Sequence, residues 1–161
     1  MLPQLSYLWL FLPIFMAASE QVGRYHKTYY PNGNLKAEGW VQNGDKTDYW
    51  KFYHLNGTLS EEGHFAQNER NGYWHFYNSS GTKEKEGHYN KGLKTKWWLF
   101  YDRYGNIAHK CQLKNDKKHG YCLKYRNQKL TSAEKYENGK KINEWFSFAS
   151  FRRDNALTDL E

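Results

Sequence analysis

A five-residue aromatic block recurs through this chain at a fixed step. It reads Tyr49-Trp50-Lys51-Phe52-Tyr53, then Tyr73-Trp74-His75-Phe76-Tyr77, then Trp97-Trp98-Leu99-Phe100-Tyr101, each 24 residues after the last. Weaker copies are Tyr25–Tyr29, Tyr121–Tyr125 and Glu144–Phe148. Glycines keep the same register: Gly33, Gly57, Gly81 and Gly105 form one column, and Gly39, Gly63 and Gly87 another. A period of this length defines a repeat architecture, in which each unit buries its apolar surface only against its neighbours.

Each unit reads as two strands. His54-Leu55-Asn56-Gly57 carries an Asn-Gly turn signal, a strand follows over Thr58–Phe65, Ala66–Gly72 reads as a polar loop, and Tyr73–Tyr77 is the second strand. The aromatics are bunched and turn signals recur every dozen residues or so, which excludes a helical reading. The expected fold is therefore all-β: an elongated, open, single-sheet antiparallel meander of tandem hairpins with eleven strands. At ~4.8 Å per strand the sheet is about 50 Å long. Few aliphatic residues are available for a core. Aromatics make up 19% of the chain, with 14 Tyr and 7 Trp, and replace them as core formers.

Alternation along a strand sorts the block onto two faces. Trp50, Phe52, Trp74, Phe76, Trp98 and Phe100 share one face, the expected core. Tyr49, Tyr53, Tyr73, His75, Tyr77 and Tyr101 share the other, with Lys51. This wetter Tyr face is a candidate binding surface for a protein or glycan, although rings stacked along the sheet for stability explain the columns better. Gly39, Gly63 and Gly87 are expected to lie across the hairpin from Trp50, Trp74 and Trp98, leaving room for each indole over the backbone.

These residues resemble the MORN-repeat variant found in YwqK-type antitoxin-like proteins. The shared pattern is Asn-Gly, then (Tyr/Trp)-Trp-x-Phe-Tyr, a turn Gly, and Glu-Gly ahead of the next unit. It covers residues 25 to about 148. The resemblance implies tandem β-hairpins, no enzyme chemistry and a role in interaction or membrane association.

Residues 2–18 carry no charge, and the apolar run Leu8–Ala18 followed by Ser19 has the length of a signal-peptide core. The expected organisation is a signal peptide or N-terminal anchor at 1–19, a repeat domain at 25–148 and a tail at 149–161. That tail is expected either to form a short helix covering the last strand edge or to fray. Export to the periplasm, the cell envelope or the medium is expected, the alternative being an N-terminally membrane-anchored protein. Cys111 replaces the column glycine and Cys122 the column tryptophan of the fourth unit, and this paired replacement suggests a cross-strand disulfide suited to export.

Catalytic chemistry is sought in vain. Glu38, Glu62 and Glu86 form a column, not a special pair, and read as cross-strand charge partners. His64 and His88 stand one repeat apart, about 10 Å, too far for shared coordination of a metal. No nucleophile elbow, phosphate-binding loop, cofactor motif or small-molecule site is evident. The net charge of +7, from 24 basic and 17 acidic residues, comes without a basic run, which disfavours nucleic acid. The sequence thus points to an exported, monomeric, non-enzymatic module that binds a protein or a glycan, or associates with the envelope. The alternatives are an antitoxin-like role against a toxin partner and binding to an anionic membrane surface.

Overall fold

A computed structural model describes residues 22–160. The proposed leader lies outside the described residues. Eleven strands run in chain order: β1 (Arg24–Tyr29), β2 (Leu35–Gln42), β3 (Asp45–Tyr53), β4 (Leu59–Ala66), β5 (Glu69–Tyr77), β6 (Lys83–Asn90), β7 (Leu93–Tyr101), β8 (Ile107–Lys114), β9 (Lys117–Arg126), β10 (Lys129–Glu137) and β11 (Lys140–Trp145). Each pairs antiparallel with the next, giving one open sheet in the order β1 to β11. The expected meander and its strand number are both found.

The loop expected over Ala66–Gly72 is absent. Gln67 and Asn68 make a two-residue turn, both at positive φ (50° and 65°), and β5 starts at Glu69. Left-handed φ at both turn residues matches the twist of the flanking strands. The remaining residues enter the strand through a bulge: Gly63 pairs with Trp74, but His64 pairs with Asn71. The bulge recurs in β3 and β7. Its first skipped residue is Asp48, Gly72 or Lys96, all at positive φ.

The main core lies on the Trp face. Trp74 and Trp98 are fully buried and pack with Phe76, Tyr89, Leu113, Cys111 and Cys122. A second, smaller core lies on the opposite face at the C-terminal end, built from Tyr121, Ala133, Trp145 and Phe151. There the chain leaves the sheet after Trp145 and forms helix α1 (Phe148–Asp154), followed by a 3-10 turn over Leu157–Leu160. Ser147 caps the helix by accepting a hydrogen bond from the Ser150 amide at 3.1 Å, which ends the last aromatic block short of Phe148. The helix does not cover the sheet edge. It lies on the Tyr face, with the Phe151 ring 5.6 Å from Tyr121 on β9, so β11 remains an open edge.

Trp145 follows from the same geometry. By its spacing it belongs with the Trp column, yet it packs on the Tyr face. The register of β10 with β11 slips around Ile142, with Lys135 opposite Asn143 and Tyr136 opposite Lys141. A one-residue slip sends the following side chains to the other face.

Candidate interaction surfaces

The Trp face is closed by its own glycines. Across β2–β7, each column glycine pairs directly with a column tryptophan: Gly39 with Trp50, Gly63 with Trp74, Gly87 with Trp98. The indole lies flat over the glycine. A Cβ on Gly63 would stand 2.5 Å from Trp74 Cε2 and 2.6 Å from its Cγ. The indole Nε1 then donates across the bulge, from Trp50 to the Trp40 carbonyl at 2.9 Å, from Trp74 to His64 at 3.1 Å and from Trp98 to His88 at 3.1 Å. One side chain therefore fills the glycine gap and satisfies a bulge carbonyl.

A column of cations overlies these rings. Lys46 Nζ stands 5.3 Å from the Trp50 ring, the Arg70 guanidinium 4.6 Å from Trp74, Lys94 Nζ 5.6 Å from Trp98 and Lys118 Nζ 4.7 Å from Tyr136. Arg70 also binds Glu61 at 2.5 Å. These four share the 24-residue step, a signal the aromatic block overshadows. Their cation–π contacts place them in the packing of the face.

On the Tyr face the candidate binding residues form a hydrogen-bonded ladder. Tyr53 donates its hydroxyl to Glu38 at 2.7 Å, Tyr77 to Glu62 at 3.1 Å, and Tyr101 to Glu86. His75 Nδ1 and Lys83 Nζ each lie 2.7 Å from Glu86 Oε2. Tyr49 and Tyr73 pack edge-on against His64 and His88, at 4.9 and 4.8 Å. The column glutamates are therefore held largely by phenols, not by lysines alone as their flanks suggest. Burial, with the Glu62 carboxylate beside them, pushes Tyr49 and Tyr77 up to about 12. The Tyr53 hydroxyl in turn holds Glu38 below the ordinary carboxylate range. The rings are mostly half-buried, and the Tyr53, Tyr77 and Tyr101 hydroxyls are taken up by the column glutamates.

Both ladders stop in the fourth unit. Cys111 and Cys122 face each other across β8 and β9, form a disulfide with Cα atoms 4.0 Å apart, and are each 1% exposed. On the other face Trp97 stands where Tyr49 and Tyr73 stand earlier, and Lys110 where the glutamates do. Lys110 Nζ lies 4.6 Å from the Trp97 ring, so a cation–π pair replaces the Tyr–Glu pair.

Beyond this point the Tyr face becomes the bed of α1. Trp145 Nε1 donates to Asp154 at 2.8 Å and the Tyr121 hydroxyl to Asn155 at 2.7 Å. On the reverse side Glu134, 2% exposed, is held by Lys124 at 2.8 Å and Lys141 at 3.3 Å. Between α1 and β9–β10 lies an apolar groove of about 260 Å³, lined among others by Leu123, Leu130, Ala133, Phe146, Phe148 and Leu157. Phe146 is 76% and Phe148 63% exposed. Sequence reasoning missed this groove, because it exists only once the tail has folded back onto the sheet. The signal available was a tail with three phenylalanines in six residues, Phe146 to Phe151.

The architecture defines the chain as an open single-sheet β-hairpin repeat protein. No family model matches its sequence, and comparison with curated proteins finds no match. Solved structures similar to it include the Glycosylation Associate Protein (Gap123) complex from Streptococcus agalactiae and accessory secretory protein 1, 2 and 3 from Streptococcus pneumoniae. Their TM-scores are 0.39 and 0.37, both at 16% identity. Each alignment covers 63% of this chain and only 18% or 19% of the matched chain. Among the described residues no helix is long and apolar enough to cross a membrane.

Proposed function

We propose that this is a non-enzymatic, exported repeat module, of the MORN-variant kind, that binds a protein partner through its C-terminal end. The observation that carries the reading is the exposed apolar groove beside α1, with Phe146 and Phe148 largely in solvent. Exposed apolar surface around a formed groove marks a protein-binding site. The groove also stands where the repeat ends. A binding site departs from the periodic pattern, whereas the Tyr ladder repeats with it and is satisfied internally. The buried disulfide suits the oxidising compartment that export implies.

The test is crosslinking capture of partners in the native host, comparing the wild-type chain with Phe146→Ser/Phe148→Ser. Both positions are exposed, and circular dichroism confirms the variant's fold. The expected result is partner capture by the wild type and its loss in the variant. Equal capture by both refutes the assignment. Loss instead in a folded Tyr73→Ala/Tyr77→Ala variant moves the site to the Tyr–Glu ladder.

A further inference from the structure

The groove also carries a signature of what it binds. We infer that it takes an acidic peptide segment of a partner protein, anchored by one large apolar side chain; this rests on the protein-binding reading above and names the partner's chemistry. Three observations lead there.

The first is size. A volume of about 260 Å³ lies below the roughly 300–1,000 Å³ typical of small-molecule sites. It suits a single aromatic or aliphatic side chain. The walls are fixed, since Trp145 and Tyr121 each tie α1 to the sheet by a hydrogen bond. A preorganised apolar pocket for one side chain is the usual anchor of a peptide interface.

The second is charge. Arg126 and Lys129 pair across the end of β9 and β10, next to the groove-lining Leu130. Acids of these elements are already engaged: Glu134 by Lys124 and Lys141, Glu144 by Lys141 at 2.7 Å, and Asp154 by Trp145 and Arg153. Arg126, Lys129 and Arg152 are exposed. Arg152 sits on α1, 5.8 Å from the Phe148 ring at the groove itself. The end of the molecule therefore presents an apolar slot in a positive field, which attracts and orients an anionic segment.

The third concerns a second copy as occupant. It would set one basic end against another, on chains that each carry +7. Like charges brought together in this way oppose association. A heterologous acidic segment meets no such opposition.

The experiment pans a random library of peptides about 12 residues long on the immobilised full chain, with counter-selection on Phe148→Asp. The expected enrichment is Phe, Trp or Leu flanked by Asp or Glu. The best peptide is then titrated by fluorescence anisotropy. Its affinity is expected to fall at least about tenfold in Phe148→Asp and in Arg152→Glu, and on raising NaCl from about 50 to about 500 mM. Enrichment of basic or uncharged peptides, absence of enrichment, or an affinity indifferent to Arg152→Glu and to salt overturns the inference. Partner capture that depends on Phe146 and Phe148 while the panned peptides lack acids leaves the module reading standing and removes only the acidic partner. Capture that ignores the groove removes both.

Discussion

The glycine–indole contact makes a strong quantitative prediction. In Gly63→Ala the new Cβ would stand 2.5–2.6 Å from Trp74 Cε2 and Cγ, far inside van der Waals contact. Trp74 cannot yield by turning outward. It is fully buried, and its Nε1 is tied to the His64 carbonyl. Spreading β4 from β5 costs about 1–3 kcal/mol as overpacking. Expelling the indole costs about 3–5 kcal/mol, as removal of a core Trp does. The expected loss is therefore about 3 kcal/mol, a large share of the roughly 5–15 kcal/mol that holds an ordinary domain. Urea titration followed by circular dichroism reads it directly. With a slope of about 1.5 kcal/mol/M the midpoint falls by about 2 M. The glycine is needed only because of the indole, so Gly63→Ala/Trp74→Leu is expected to be more stable than the sum of its single changes by about 2 kcal/mol. Gly23→Ala, where the added Cβ meets nothing closer than 3.7 Å, serves as the neutral control. A Gly63→Ala midpoint within error of wild type, or strict additivity in the double variant, refutes the argument.

Other expectations concern the bulge, the disulfide and pH. Asp48 and Lys96 hold φ of 55° and 59° in the column that Gly72 occupies, so Asp48→Gly and Lys96→Gly should each raise stability by about 0.5–1 kcal/mol; a lower melting temperature in either contradicts this. Cys111→Ser/Cys122→Ser opens a loop of sequence separation 11, worth about 3 kcal/mol by chain entropy, and hydrogen exchange should rise in β9–β11 before β3–β5. A uniform rise along the sheet would show that the units are not independent. Glu38 and Glu86 are held below the ordinary range, Glu38 chiefly by the Tyr53 hydroxyl and Glu86, despite its burial, by Lys83, Tyr101 and His75. Their stabilisation is complete above the unfolded value of about 4.3 and is lost as pH falls through the lower folded values. Tyr49 and Tyr77 run the other way. Raised to about 12, they stabilise fully below about 10 and cease to do so as pH climbs from there to about 12. Acid and alkaline titrations by circular dichroism, with Tyr77→Phe as the alkaline comparison, check both limbs.

How much of this was legible in the sequence depends on what repeats. The strand number, the two faces and the glycine–indole pairs all follow from columns of constant residue type. The cation column of Lys46, Arg70, Lys94 and Lys118 has the same period, but lysine and arginine in turn-proximal positions read as ordinary solvated charge. The bulge column hid for a related reason: it holds Asp48, Gly72 and Lys96, which share a backbone conformation and no side-chain chemistry. The face of Trp145 was not legible, because it depends on a register slip at Ile142, and a slip of one residue inverts everything after it. The groove was invisible in principle. Its walls come from β9, β10 and the tail, and only tertiary packing brings them together.

The coordinated replacements in the fourth unit explain why the groove forms where it does. A repeat that stacks only on its neighbours must end somewhere, and its last unit needs a different solution for the exposed face. On the Trp face the solution is covalent: the Gly–Trp pair becomes Cys111–Cys122, and the buried Glu134 with its two lysines takes the next place in the glycine column, opposite Cys122. On the Tyr face the Tyr–Glu ladder, too polar to bed a helix, gives way to Trp97, Leu123 and Ala133. Each change alone would be destabilising. A cysteine beneath the following indole leaves a clash, and a helix laid on the glutamate ladder takes its charge away from water. Together they move the core from one side of the sheet to the other within two strands. The helix then covers only part of the new apolar surface, which leaves Phe146, Phe148 and Leu130 at its margin. The same substitutions that close the repeat thus create a markedly non-periodic surface.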